Sequence, residues 1–291
     1  MRPALRYYGG KWKIAPWVIS HLPPHRVYVE PFGGAASILL RKPRSYAEVL
    51  NDLDGEVINV FAVLRDPASA LRLKEIVALT PFARDEFKLA HEWSEEPVER
   101  ARRAVIRAFM GFGSNSFHGK GGMRTRSSPW TVCRTGFRAN AKRQGTTPAS
   151  DWASWPDSIP GFIERLRGVV IENRDALEIM RQHDGAETLY YLDPPYLMTT
   201  RSSRDQYTFE LDEDGHRELA EVARSMVGSV VISGYHSELY EDLYRGWVRV
   251  ERPALADGAR PRTEVLWLSP RAHRSLRDSR NSLFDLLGPL V

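Results

Sequence analysis

Asp193-Pro194-Pro195-Tyr196 packs a carboxylate, a rigid carbonyl and an aromatic ring into four consecutive residues. The prolines have no N–H and a fixed φ, so the apolar run before them, Thr188–Leu192, must end there. That run reads as a short buried strand. The group therefore sits at the C-terminal end of a strand, the edge of an open α/β sheet where ligands bind. It suits one task, holding an exocyclic amino group conjugated to a flat ring. Such a nitrogen is a poor nucleophile because its lone pair is delocalised. An oxygen of Asp193 and the carbonyl of Pro194 can each accept one of its hydrogens and draw it toward tetrahedral geometry, while Tyr196 stacks on the ring. In isolation the four residues can equally be a proline turn with a capping Asp, so the rest of the chain carries the decision.

Three other stretches could contact a ligand. In Tyr7-Tyr8-Gly9-Gly10-Lys11 the glycines allow close backbone approach and Lys11 can reach an anionic group. The spacing is not that of a phosphate-binding Walker loop. Val27–Phe32 reads as a buried first strand, and Gly33-Gly34-Ala35-Ala36-Ser37 as its turn into an apolar helix. A nucleotide-like ligand can meet backbone at such a turn, although the dinucleotide glycine fingerprint is absent. A second strand over 46–50 ends at Asn51-Asp52-Leu53-Asp54. Asp52 is placed there to accept hydrogen bonds from ribose hydroxyls. Asp54 is the better N-cap for the helix predicted over 56–64.

Charge points to a polyanion. The chain of 291 residues has a net charge of +4, but 11 Lys/Arg and no Asp/Glu lie between Arg100 and Ser150, which leaves the remainder at −7. A basic block in an otherwise acidic protein is the footprint of a nucleic-acid contact. Within it Arg124, Arg126, Arg134, Arg138, Lys142 and Arg143 alternate with Phe112, Phe117, Trp130 and Phe137. The single cysteine, Cys133, fits a reducing compartment. The eight histidines show no metal-ligand spacing, so no metal is expected. The N-terminus lacks a signal-peptide core, and no apolar run is long enough to span a membrane.

These residues need a scaffold that alternates strand and helix. After the first two strands the rhythm stops from about 65 to 167. There helices are predicted over 67–79, 81–93 and 98–110, followed by the long Gly/Ser/Arg-rich stretch. The rhythm resumes at Val169–Asn173, with Asp175 at its end, then a helix to about 181 and the strand leading to Asp193. A polar loop over 197–210 is placed to close over a substrate. A helix over 212–226, a strand over 229–233, a short helix ending near 244 and two strands near 247–250 and 264–268 follow. The C-terminal segment, 271–291, reads as a helix docking on its own domain.

Taken together, Tyr7–Lys11, Val29-Glu-Pro-Phe-Gly-Gly-Ala35, Asn51–Asp54, Asp193–Tyr196 and Glu264-Val-Leu-Trp267 resemble, in order and nearly end to end, the adenine-specific DNA methyltransferases of the Dam-like (D12) class. The resemblance implies an α/β, Rossmann-like, seven-stranded sheet binding S-adenosylmethionine and releasing S-adenosylhomocysteine. It divides the chain into a discontinuous catalytic domain, 1–64 and 168–291, and an inserted DNA target-recognition region, 65–167, mostly helical. It makes Tyr7, Gly10 and Lys11 cofactor contacts from the leader, and Glu30, Phe32 and Gly33 the methionine-side turn. Asp52 becomes the ribose ligand, Asp175 the adenine ligand, and Asp193, Pro194, Pro195 and Tyr196 the catalytic group, with Asp193 also against the cofactor. The insert matches poorly beyond Gly136-Phe-Arg-Ala-Asn140, which adds Asn140 to the DNA contacts and leaves the recognition sequence unassigned.

The implied reaction is direct methyl transfer to N6 of an adenine extruded from double-stranded DNA, since the paired amine is shielded in the duplex. The alternatives are methylation of cytosine N4 or of RNA, and a non-catalytic DNA-binding relative. The expected setting is the cytoplasm of a prokaryote, at the nucleoid, with a chromosomal or phage gene. The expected form is a monomer, with a cognate restriction endonuclease as a candidate partner.

Overall fold

The computed structural model describes residues 1–112, 117, 136–139, 146–200, 209–255 and 261–287. Strands β1 (Val27–Glu30), β2 (Ala47–Asn51), β3 (Val169–Glu172), β4 (Thr188–Leu192), β5 (Ser229–Tyr235), β6 (Val248–Leu255) and β7 (Pro261–Leu268) form one sheet in the order β3-β2-β1-β4-β5-β7-β6. The first five are parallel, and β7 runs antiparallel between β5 and β6. The expected seven-stranded Rossmann-like sheet is therefore present.

A largely parallel sheet must be covered on both faces, and β4 shows how the sequence arranges this. Leu189 and Tyr191 point into one apolar cluster, Tyr190 and Leu192 into the other. The first cluster takes in α2 (Gly55–Arg65), α3 (Pro67–Leu79), α5 (Pro97–Met110) and α7 (Ile159–Leu166), with α1 (Ala15–Ile19) at its margin and α4 (Arg84–Leu89) and α6 (Pro148–Ala153) each contributing one large ring, Phe87 and Trp152. The second is covered by α8 (Ala176–Gln182), α9 (Glu213–Ser225) and α10 (Glu238–Leu243). The C-terminal helix α11 (Pro270–Leu287) docks on its own sheet through Ala272 and Leu276, as expected.

Several local expectations change. The Gly33–Ser37 turn does not lead into a helix. Gly34 (φ 47°) and Ala36 (φ 51°) both adopt left-handed backbone, so residues 33–41 form successive turns instead. The helix expected over 81–93 shortens to α4 because Ala83 before it is extended. Helices α6 and α7 were not anticipated; each carries a proline in its first turn. The stretch 65–167, expected as an insert, sends its described helices into the same core as the sheet.

Part of the basic block is structural. Arg107 is buried, paired with Glu56, and donates to Phe117 O at 3.0 Å and Ala90 O at 2.6 Å. Arg102 bridges Glu99 at 2.7 Å and Glu86 at 2.8 Å, and Arg103 bonds Glu99 at 2.6 Å. The charges of α5 are thus matched by acids outside the block.

Candidate active site

Strand order reverses between β1 and β4, and both neighbours run parallel to β1. Their diverging C-terminal connections open a cleft, the general ligand position in such sheets. The described lining includes Tyr7, Gly10, Lys11, Glu30, Phe32, Gly33, Asp52, Asp175, Asp193 and Pro195. Every proposed cofactor residue therefore lies on one cleft. Of the catalytic four, Asp193 and Pro195 face it, whereas Pro194 and Tyr196 are buried beside it.

The turn after β1 fits against β2 with no space for a side chain. A Cβ on Gly33 would stand 2.4 Å from Leu50 Cδ1 and 2.9 Å from Asn51 O, and the Gly33 N–H already donates to that oxygen at 2.7 Å. Asp52 closes the turn, its carboxylate accepting from Gly34 N–H at 2.7 Å and Asp54 N–H at 2.9 Å. Burial, then the charge of Asp54, push the half-buried Asp52 carboxyl up to about 7, against the pull of these backbone donors. Asp52 is thus already a fixed part of the turn. Asp54 caps α2 by accepting from Glu56 N–H at 2.8 Å, as expected. Asp175 caps α8 through Leu177 N–H and Glu178 N–H, at 2.9 and 3.2 Å.

Glu30 ends β1, only 2% exposed, and accepts from Leu39 N–H at 3.2 Å. Burial first, and the charge of Asp193 second, push its carboxyl up to about 8. Asn51 had no role in the sequence reading, yet it holds the three strand ends in register. Its amide donates to Pro31 O at 2.9 Å and Arg174 O at 3.0 Å, and its oxygen accepts from Arg174 N–H at 3.0 Å.

At the other end Asp193 Oδ1 accepts from Ser233 Oγ at 2.7 Å and faces the Lys11 ammonium at 3.0 Å. Lys11 also donates to Gly9 O at 3.0 Å and sits 4.5 Å from the centre of the Tyr196 ring. Burial alone would lower its pKa, but the charges of Asp193 and Glu264 outweigh burial and the net direction is up. Lys11, expected at the cofactor, lines the cleft and also touches Asp193 and Tyr196. Tyr196 donates from Oη to Glu264 at 3.0 Å and meets the Tyr235 ring edge-to-face at 4.7 Å. Burial and the charge of Asp193 push the Glu264 carboxyl up, against Lys11 and the Tyr196 hydrogen bond. Ser233, Tyr235 and Glu264 were missed as site residues, although Glu264 stands in the Glu264–Trp267 run.

The described lining carries seven acids and one base, Lys11. An acidic cleft with close-approach glycines fits a cationic, hydroxyl-bearing nucleoside and disfavours a phosphate-rich one. Of the expected DNA contacts only Arg138 is described. Its N–H donates to Met110 O at 2.7 Å, beside a bridge between Gly111 and Phe137, so this segment docks on the end of α5. Arg124, Arg126, Arg134, Asn140, Lys142 and Arg143 lie outside the described residues.

The family described as D12 class N6 adenine-specific DNA methyltransferase matches residues 7–108 and 131–255. The chain is 26% identical over 260 residues to a DNA adenine methylase of Serratia marcescens, covering 84% of this chain and 87% of that one. It is 25% identical over 259 residues to a DNA adenine methylase of Escherichia coli (strain K12), covering 84% of each. It is 23% identical over 269 residues to the type II methyltransferase M.MjaIII of Methanocaldococcus jannaschii, covering 85% of this chain and 89% of that one.

Proposed function

Because the chain belongs to the D12 class N6 adenine-specific DNA methyltransferases, we propose that its cleft transfers the methyl group of S-adenosylmethionine to N6 of an adenine flipped out of double-stranded DNA. The observation that carries this reading is the common opening of Asp193 and the Gly33 turn onto one acidic cleft. When bound, the cofactor supplies an electrophilic methyl group on a sulfonium. Gly33 and Gly10 give it backbone to lie against, and Asp52 and Asp175 are placed for its ribose and adenine. Glu30 and Asp193 are the carboxyl groups that would take its methionine side.

Both described contacts to the Asp193 carboxylate fall on Oδ1, which supports Oδ2 as the acceptor for the incoming amine. The Pro194 carbonyl is the second acceptor, and Tyr196 is the stacking surface. With two acceptors fixed in advance, the amine lone pair is aimed without a strong base, since the nitrogen becomes acidic only after methylation. Residues 65–167 are read as the DNA-contacting region, with Arg124, Arg126, Arg134, Arg138, Asn140, Lys142 and Arg143 on phosphates or bases. Likeness to a type II methyltransferase supports a cognate restriction endonuclease as a partner; a monomer acting at the nucleoid completes the reading. Among the described residues no helix is long and apolar enough to cross a membrane.

Incubation with labelled S-adenosylmethionine and unmethylated duplex DNA tests the reading. Labelled N6-methyladenine is expected. Label on N4-methylcytosine, on RNA alone, or nowhere would defeat it.

A further inference from the structure

Stacking a base needs only an aromatic ring, yet the ring used here carries a hydroxyl, and a carboxylate is buried to receive it. Tyr196 is 6% exposed and Glu264 9% exposed, and the Oη to Oε2 distance is 3.0 Å. Burying a carboxylate is costly unless its partners compensate, so this arrangement is weak as a stability device and strong as an orientation device. Glu264 lies on β7 directly opposite Tyr235 of β5 in the antiparallel register. Tyr235 in turn packs edge-to-face on Tyr196. The ring is therefore fixed at its hydroxyl by one strand and at its side by the neighbour of that strand. Lys11 stands over the ring and is ion-paired with Asp193, and the charge of Glu264 also acts on it. Acceptor and stacking ring are thereby held as one rigid unit. Glu264 opens the Glu264–Trp267 run, and it is not among the described residues of the cleft wall.

We propose that Glu264 is a positioning residue for methyl transfer, which sets the tilt of the Tyr196 ring and so the height at which the target base stacks beside Asp193. The inference rests on the adenine-methylating reading above. It requires that loss of the Tyr196–Glu264 hydrogen bond slow transfer without weakening the cofactor.

The test compares Glu264→Ala, Glu264→Gln and Tyr196→Phe with the wild type, on a duplex carrying the site that the wild-type protein methylates. Single-turnover rate, S-adenosylmethionine affinity, and fluorescence of 2-aminopurine at the target adenine are measured. Glu264→Ala and Tyr196→Phe should each lose at least about 10-fold in rate, the scale of one charge-assisted hydrogen bond. Cofactor affinity should hold. Glu264→Gln keeps an acceptor oxygen and should recover most of the rate. The double variant should be no slower than either single. 2-Aminopurine should be brighter in the slow variants, because a base no longer seated on the ring loses its stacking quench. If Glu264→Ala does not fold, Tyr196→Phe, which keeps the ring and its volume, decides the matter alone. Wild-type rate in Tyr196→Phe, additive losses in the double variant, or unchanged 2-aminopurine emission would overturn the proposal. A wild-type protein that methylates no adenine would instead sink the proposed function, and the two failures are told apart by that control.

Discussion

Glu30→Gln should make the protein more stable at neutral and alkaline pH and leave it unchanged in acid. The unfolded glutamate ionises near 4.5, whereas burial and Asp193 hold the folded carboxyl at about 8. Between these values the unfolded chain has lost the proton and the folded one still binds it. Raising the pH therefore favours unfolding, and the stability that protonated Glu30 contributes in acid is lost as pH passes through about 8. At 1.36 kcal/mol per pKa unit, the full shift corresponds to roughly 5 kcal/mol. Relaxation and water entry reduce what such a buried group costs, so the measured plateau should be about 2–5 kcal/mol. Glutamine keeps the shape and the acceptor for Leu39 N–H but cannot ionise. Urea denaturation of both proteins across this pH range gives the difference curve directly. It should be flat in acid, climb between about pH 4.5 and about pH 8, and then level off with the variant more stable. Parallel curves would show that Glu30 is solvated, and that its place beside Asp193 does not set its charge.

Asp52→Ala should lower S-adenosylmethionine affinity in calorimetric titration by about 1.5–3 kcal/mol, and also thermal stability, because Gly34 and Asp54 N–H lose their acceptor; normal affinity would reduce Asp52 to a turn residue. Gly33→Ala should cost about 1–3 kcal/mol of stability, since the new Cβ meets a backbone carbonyl that cannot turn aside, and a melting curve like that of the wild type would contradict the close packing. Removing Arg124, Arg126, Arg134, Arg138, Lys142 and Arg143 together should flatten the salt dependence of DNA binding, by about 0.9 in log K against log salt for each phosphate no longer neutralised. An unaltered slope would place the DNA elsewhere.

How much of this was legible in the sequence depended on whether the deciding forces were local. Thr188–Leu192 and Pro67–Leu79 came out with the bounds seen in the structure, because prolines punctuate both. Asp54 was separable from Asp52 because capping is a contact between near neighbours. The turn after Gly33 was misread as helix because its small apolar residues suit one, and the left-handed backbone at Ala36 leaves no local signature. Asn51 and Glu264 gave no local sign of their roles, since their partners Arg174 and Tyr196 are distant in the chain. The contacts of Lys11 with Asp193 and Tyr196 show only in the folded leader. Pro148 and Pro160 hid α6 and α7, because proline reads as a breaker, whereas each occupies a first-turn position where the missing N–H costs nothing.

In the proposed reaction Asp193 orients an adenine amine for methyl transfer in DNA. The most direct measurement of this role is digestion of duplex DNA after reaction with the wild type, Asp193→Asn and Asp193→Ala, with the methylated nucleosides identified by mass. N6-methyladenine is expected from the wild type, with a smaller amount from Asp193→Asn, which keeps an acceptor oxygen. Asp193→Ala should transfer at least about 10²-fold more slowly, the scale of losing one preorganised polar contact, with cofactor and DNA still bound. N4-methylcytosine as the product, or full activity in Asp193→Ala, would rule out this role for Asp193.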